Sequence, residues 1–163
     1  MKRLVSGVLA LSHAFVTWGP AVADQSDNEN LTWSLQALPV EGRSDEVDLV
    51  FKAGIVPGWI LYSSDFQPVD FGPRPAKLTL STQAQASADA VGELKAIGSA
   101  SKTDKNFTGP YTYTYFSGTA ELRQRVRISK GARTVSGQLT GQTCFEKSGL
   151  CALFKEEFSV AVP

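Results

Sequence analysis

Histidine, methionine and cysteine are scarce in this chain of 163 residues, which has one His, one Met and two Cys. Met1 and His13 both lie in the first 23 residues, which have the features of a removable leader. Without them, the Ser–His–Asp and Cys–His arrangements of hydrolases are excluded. Zinc or copper sites built on imidazole or thioether ligands are excluded as well. We therefore expect no metal site and no cofactor.

A long hydrophobic run is also missing. The apolar stretch over residues 4–18 follows a positively charged start, is short and interrupted, and is followed by a small-x-small pattern ending at Ala23. This arrangement is typical of a secretory signal and too short for a lasting membrane span. We predict that residues 1–23 are a signal peptide, that residues 24–163 form a single domain, and that the mature protein is periplasmic without a stable membrane anchor.

The chain has no surplus of charge of either sign, with 16 Lys and Arg against 16 Asp and Glu. Two of the basic residues belong to the leader, so processing leaves 14 basic residues against 16 acidic ones. Nucleic acids and anionic membranes attract proteins with a basic excess. We therefore expect no nucleic-acid partner.

Short apolar–polar alternations, separated by turn signals, run through most of the chain. Residues 47–53 and 120–128 are clear cases, and the second places Arg123, Arg125 and Arg127 on its polar face, which we interpret as solvated. The polar residues 99–110 are predicted to form a loop. About eight or nine such strands predict an all-β protein, an immunoglobulin-like antiparallel β-sandwich.

The remaining chemistry centres on Cys144 and Cys151, which are separated by six residues and flanked by strand-like runs. In an exported protein such a pair favours a disulfide, here across the end of a β-hairpin. The bond could be structural, although closing so short a loop contributes only about 2.5 kcal/mol. It could instead be a redox pair, with Lys147 and Lys155 near enough in sequence to stabilise a thiolate. Cysteine count and spacing by themselves favour the structural bond.

Several landmarks have the order and spacing of a known family. They are Trp33, residues 58–62 (GWILY), residues 115–118 (YFSG), residues 141–144 (GQTC) and Cys151. Over roughly residues 31 to 162 the chain resembles the amino-terminal periplasmic domain of the DsbD family of thiol:disulfide interchange proteins. It lacks the transmembrane and thioredoxin-like parts of full-length members, so we expect a stand-alone module supplied with electrons by a separate protein.

The resemblance implies an immunoglobulin-like fold that carries a redox-active cysteine pair. It implies that Cys151 forms the mixed disulfide with partners and that Cys144 resolves it. It also implies a cap loop that shields the pair, matched here by Asp104 and Phe107, with Tyr62 packed near the site. The implied activity is protein-disulfide reduction by thiol–disulfide exchange. The implied partners are thioredoxin-like periplasmic proteins, cytochrome c maturation factors or a separate membrane electron donor.

Two functional hypotheses follow, and with the resemblance included the exchange module is favoured. The alternative is a non-enzymatic immunoglobulin-like binding module in which the disulfide is only structural, because this fold hosts many unrelated functions. Its contact surface would be the arginine face or the tyrosines 111, 113 and 115.

Overall fold

The computed structural model describes residues 29–82, 88–105 and 109–163, so the expected signal peptide and Phe107 lie outside the described residues. Ten strands are present in these ranges. They are β1 (Leu31–Val40), β2 (Arg43–Ile55), β3 (Trp59–Tyr62), β4 (Lys77–Leu80), β5 (Ala88–Ala96), β6 (Ala100–Asp104), β7 (Tyr111–Ser117), β8 (Thr119–Ile128), β9 (Thr134–Phe145) and β10 (Cys151–Ala161). The same ranges contain no helix of the length and apolar character needed to cross a lipid bilayer.

The strands form two antiparallel sheets. One has four strands in the order β1-β2-β8-β5, and the other has six, in the order β10-β9-β3-β7-β6 with β4 also paired to β9. The sheets pack face to face, which confirms the predicted all-β, immunoglobulin-like sandwich.

The core lies between the sheets because successive side chains of a strand point to opposite faces. Leu49 on β2 and Leu122 on β8 have no exposed surface, and Leu61 and Leu139 meet them from the six-stranded sheet, equally buried. Burying one such side chain contributes about 2 kcal/mol. The two sheets are therefore held together by an apolar core to which the disulfide does not belong.

The polar face of β8 is tied into ion pairs with the neighbouring strand β2. The guanidinium of Arg125 donates to both carboxylate oxygens of Asp48, at 2.9 and 3.1 Å, and Arg127 donates to Glu46 at 3.0 Å. The interpretation of the arginines as a solvated face is confirmed, because all three are partly exposed. Their ion pairs with carboxylates are an additional finding.

One sequence-based prediction is wrong. Residues 99–110 were expected to be a loop, but Ala100–Asp104 form β6, which pairs with β7 from Ala100↔Tyr115 to Asp104↔Tyr111. β6 is an edge strand whose residues are exposed or only half-buried. Such a strand shows no apolar alternation, so the pattern that reveals the other strands is missing here.

Candidate functional site

The two cysteines close the hairpin formed by β9 and β10. Cys144 and Cys151 are directly opposite in the register, are joined by a disulfide and have their Cα atoms 4.0 Å apart. The next pair is hydrogen-bonded, with the Phe145 N–H donating to the Leu150 carbonyl at 2.8 Å. The cysteines therefore occupy a non-hydrogen-bonded position, where side chains of antiparallel strands approach most closely. The predicted hairpin disulfide is confirmed.

The connection between the two strands is fixed by backbone contacts. Gly149 has a φ of +69°, which L-residues with side chains rarely adopt, and its N–H donates to the Phe145 carbonyl at 2.9 Å. The Glu146 N–H donates to the Gly58 carbonyl at 2.9 Å. The hairpin end is thus attached to the turn before β3 and holds the two sulfurs in place.

The two cysteines differ sharply in exposure. Cys144 is only 4% exposed, because β9 lies between β10 and β3, and its register partner on β3 is Ile60. Cys151 is exposed, because β10 is the terminal strand of the described sheet. Thiol–disulfide exchange needs the attacking sulfur to reach its target in line. Only Cys151 offers that access from solvent.

Cys144 belongs to a second, smaller core on the outer face of the six-stranded sheet. We call it the outer-face cluster, and its buried members are Ile60, Tyr62, Phe66, Tyr111, Tyr113 and Cys144. The rings of Tyr62 and Tyr113 meet edge-on with centroids 5.4 Å apart. The sulfur of Cys144 is therefore surrounded by aromatic and aliphatic carbon, which solvates a thiolate poorly.

Tyr62 and Asp104, two residues matched to the shielding element, lie at this cluster. Burial raises the pKa of Tyr62 to about 12, with further increases from Tyr113, Tyr111 and Asp104. Tyr62 is therefore a neutral phenol at ordinary pH and not a base. Asp104 ends β6 opposite Tyr111. Phe107 lies outside the described residues, and the shielding role of all three stays a proposal.

A long connection between β3 and β4, here called the 63–76 loop, covers the outer-face cluster. β3 and β4 pair with the same strand, β9, and the chain leaves the sheet between them. Phe66 packs into the cluster, and the Tyr111 hydroxyl donates to the Gln67 carbonyl at 3.0 Å. The Ala76 N–H donates to the Ser63 carbonyl at 2.9 Å, which closes the loop at its base.

Asp65 anchors the first turn of this loop. Its carboxylate accepts hydrogen bonds from the hydroxyls of Ser63, Thr114 and Ser99, the last at 3.1 Å. Partial burial by itself would raise the pKa of Asp65, but these donors, with its own backbone N–H, hold the pKa below its ordinary value. The loop base is thus ordered by a carboxylate that has to be ionised.

The tip of the loop is a strained turn that displays an aromatic ring. The Gly72 N–H donates to the Val69 carbonyl at 3.0 Å, and Phe71 between them has a φ of +63° and is fully exposed. A left-handed conformation costs a residue with a side chain about 1–2 kcal/mol. Backbone strain that is not compensated by burial of the side chain is found preferentially at functional surfaces.

Gln142 connects the loop to the buried sulfur. Its Oε1 accepts the Arg74 N–H at 2.9 Å, and its Nε2 lies 3.7 Å from Sγ of Cys144. Sequence reasoning missed this pairing, since Gln142 entered it only as part of the landmark at residues 141–144 and no pattern connects it to Arg74. One signal was available, because Gln142 lies two residues before Cys144 and so shares its strand face.

Apolar side chains flank the exposed sulfur on β10. Leu150 and Leu153 are 64% and 62% exposed, and Leu153 lies on the same face of the strand as Cys151. Exposed leucines of this size can contribute to contact with another protein.

The lysines considered as thiolate partners are not brought to the sulfurs by any observed contact. Lys155 forms an ion pair with Glu157, which lowers the pKa of that carboxyl, and Lys147 is exposed on the hairpin connection. Sγ of Cys151 lies 3.4 Å from the Gly149 carbonyl. In the disulfide this sulfur has no proton to donate, so the contact becomes a hydrogen bond only after reduction. Among the described residues no group of three or more His, Cys, Asp or Glu side chains could hold a metal ion.

The chain has similarity to known proteins at the level of solved structures. No protein-family model matches the chain, and no curated protein matches it. The crystal structure of the N-terminal periplasmic domain of ScsB from Proteus mirabilis aligns with a TM-score of 0.48 and 14% identity, over 83% of this chain and 47% of that one. The chain thus spans about half the length of this neighbour.

Proposed function

We propose that this chain is a periplasmic thiol:disulfide exchange module that passes electrons between other proteins through Cys144 and Cys151. One observation carries the proposal. The two sulfurs of a hairpin disulfide are placed in opposite environments, Cys151 exposed on an edge strand and Cys144 buried against an aromatic cluster. This asymmetry separates an attacking sulfur from a resolving one, whereas a purely structural bond has no need of it.

The exchange follows from this placement. With both cysteines reduced, the Cys151 thiolate attacks one sulfur of a partner disulfide, and the electron pair of that broken bond leaves on the partner's second sulfur, which takes up a proton. Cys144 then loses its proton, and its thiolate attacks Sγ of Cys151. The bond between Cys144 and Cys151 forms, the bond to the partner breaks, and the partner leaves with a second thiol. The partner gains two electrons and this chain returns to the disulfide.

We propose that the cycle is completed by a separate electron donor, either a thioredoxin-like protein or a membrane protein. One donor thiolate attacks Sγ of Cys151, and the bond between the two cysteines breaks with Cys144 leaving as a thiol. The second donor thiolate then attacks the donor sulfur bound to Cys151, so that Cys151 leaves as a thiol, the donor is oxidised to a disulfide and this chain regains its dithiol. Recipients of the electrons would be thioredoxin-like periplasmic proteins, including those of cytochrome c maturation. The proposed periplasmic location supplies the compartment in which such disulfides form.

Shielding of the pair is also part of the proposal. Tyr62 belongs to the same outer-face cluster as Cys144, and Asp104 lies opposite Tyr111, another member of that cluster. With Phe107 they would limit access to the sulfurs until a partner docks. Leu150 and Leu153 would form the first contact area, since they are exposed beside Cys151.

The proposal is tested by trapping. A Cys144→Ala variant keeps the exposed thiol and lacks the resolving one, so it should accumulate mixed disulfides when mixed with an oxidised thioredoxin-like protein. The matched Cys151→Ala variant keeps only the buried thiol and should trap little. Equal trapping by both variants, or by neither, would contradict the assignment of roles.

Equilibrium with glutathione redox buffers provides the second measurement. A working exchange pair should be reduced at a potential clearly above roughly −300 mV, the range below which structural disulfides of secreted proteins lie. A lower potential, combined with the absence of trapped adducts, would favour the binding-module alternative. The surfaces suggested for that alternative are largely occupied, since the arginines are ion-paired and Tyr111 and Tyr113 are buried.

A further inference from the structure

The orientation of the Gln142 amide is fixed by its neighbour on the 63–76 loop. The Arg74 backbone N–H can only donate, so the amide atom that faces it at 2.9 Å must be the oxygen. The nitrogen of the same amide is then left on the side of Sγ of Cys144, at 3.7 Å. The positions of Oε1 and Nε2 of Gln142 thus follow from hydrogen-bonding chemistry, because exchanging the two atoms would place a donor against the Arg74 N–H.

The amide donor faces a sulfur that has few other polar neighbours. Cys144 is 4% exposed and packs with the outer-face cluster, whose other members contribute rings and aliphatic carbon. A disulfide sulfur is a weak acceptor, whereas a thiolate is a charged one, and hydrogen bonds to charged groups are about twice as strong as neutral ones. The contact from Gln142 therefore strengthens when the disulfide opens and Cys144 ionises.

We propose that Gln142 stabilises the Cys144 thiolate and, through Arg74, couples the redox state of the pair to the 63–76 loop. The bridge runs from Sγ through the amide to the backbone of the segment that also carries Phe71. A thiolate accepts a stronger hydrogen bond from Nε2 and so polarises the amide, which makes Oε1 a better acceptor for the Arg74 N–H. Hydrogen bonds in a chain reinforce one another in this way. The turn that displays Phe71 is then held more firmly in the reduced protein than in the oxidised one. This inference rests on the proposed function in one respect, since a thiolate at Cys144 matters only if the bond opens during the working cycle.

The stabilisation of the Cys144 thiolate by Gln142 is tested in a Cys151→Ala background, where Cys144 is the only thiol. The rate of its alkylation by iodoacetamide is followed against pH, and the midpoint of the profile is compared between variants. Gln142→Leu removes the donor and should raise the midpoint by about half to one pH unit, so that alkylation well below the midpoint slows about threefold to tenfold. The matched control is Gln138→Leu, on the same strand and face but paired with Glu157 and Thr79, far from the sulfur.

A second variant, Gln142→Glu, separates the contact with Arg74 from the contact with Cys144. Gln142→Glu keeps an oxygen to accept the Arg74 N–H but places a carboxylate against the sulfur, so the alkylation midpoint should rise at least as far as in Gln142→Leu. Hydrogen exchange at Arg74 should stay slow in Gln142→Glu and become fast in Gln142→Leu. Midpoints for both Gln142 variants equal to that of the Gln138→Leu control would overturn the proposal.

The coupling to the loop has its own readout in the native protein. Hydrogen exchange at Arg74 should be slower in the dithiol than in the disulfide form, and this difference should vanish in Gln142→Leu. Equal protection in both redox states of the native protein would refute the coupling. None of these measurements involves a partner, so they stand or fall separately from the trapping experiment that tests the proposed function.

Discussion

Phe71 combines an unfavourable backbone conformation with a side chain that is fully exposed to solvent. It has a left-handed φ of +63°, is fully exposed and lies in a turn closed by the Gly72 N–H. Its side chain buries nothing in this chain, so the strain is not offset within the fold. The ring is available instead for contact with another molecule.

Replacing Phe71 by Asn should leave the free energy of unfolding unchanged or raise it by up to about 1 kcal/mol, since Asn tolerates this conformation better. Urea denaturation measures the difference. Phe71→Ala is the matched control, because it removes the ring and keeps the strained backbone, and it should lie within about 0.5 kcal/mol of the native protein. A clear loss of stability in the alanine variant would show that the ring packs against the chain after all.

Asp65 makes the stability of the loop base depend on pH. Its folded-state pKa is below the ordinary value of 3.8, because hydroxyl donors outweigh partial burial, so its stabilising effect is present above that value. It is lost as the pH falls through the lower, folded-state pKa. Asp65→Asn should therefore be less stable than the native protein at neutral pH, and the gap should close under acid conditions.

Denaturation midpoints measured across acid and neutral pH check this expectation. Asp70→Asn is the control, since Asp70 is exposed at the tip of the same loop. A stability gap for Asp65→Asn that stays constant from neutral to acid pH would show that the carboxylate is not the titrating group.

At the scale of elements, the β9–β10 hairpin combines the disulfide with exposed apolar side chains. Alternation along β10 places Phe154 and Val160 in the core and leaves Cys151 and Leu153 outside. The terminal position of β10 then leaves this outer face uncovered in the described sheet. The same strand thus contributes to the core with one face and, in the proposed function, to recognition with the other.

Leu153→Lys should slow exchange with a partner protein about fivefold to thirtyfold while leaving the reduction potential unchanged, since one interface leucine contributes about 1–2 kcal/mol. Stopped-flow measurement of partner reduction tests this. Leu38→Lys is the matched control, because Leu38 is an exposed leucine on β1 of the other sheet. Equal slowing in both variants would mean that charge, and not the surface beside Cys151, sets the rate.

At the scale of the whole molecule, the disulfide and the main core are separate. The core fills the space between the sheets, while Cys144 belongs to the cluster on the outer face. We therefore expect the sandwich to stay folded when the bond opens. A protein that exchanges disulfides has to keep its fold in both redox states, and this arrangement allows it.

Reduction should lower the free energy of unfolding by no more than about 2.5 kcal/mol, the chain-entropy value for so short a loop. Urea unfolding with and without a thiol reductant measures the difference, and a Cys144→Ser, Cys151→Ser double variant should match the reduced protein. Unfolding on reduction alone would indicate that the bond supports the fold.

The sequence predicted the sandwich, the hairpin and the solvated arginine face, since each depends on neighbours only a few residues apart. It failed at β6, where an exposed edge strand has no alternation to detect. It also missed the bridge from Arg74 to Cys144 through Gln142, whose ends come from distant parts of the chain. Such contacts leave no periodic trace in the residues that form them.

The sequence by itself determined which chemistry is excluded, because an almost complete lack of histidine and methionine rules out hydrolase triads and metal sites built on imidazole or thioether ligands. It also determined the strands, because alternation is a property of adjacent residues. Only the tertiary structure decided which sulfur is exposed and which is buried, since that depends on β9 lying inside the sheet and β10 at its edge. It likewise decided that Arg74 and Gln142, 68 positions apart, meet beside the buried sulfur.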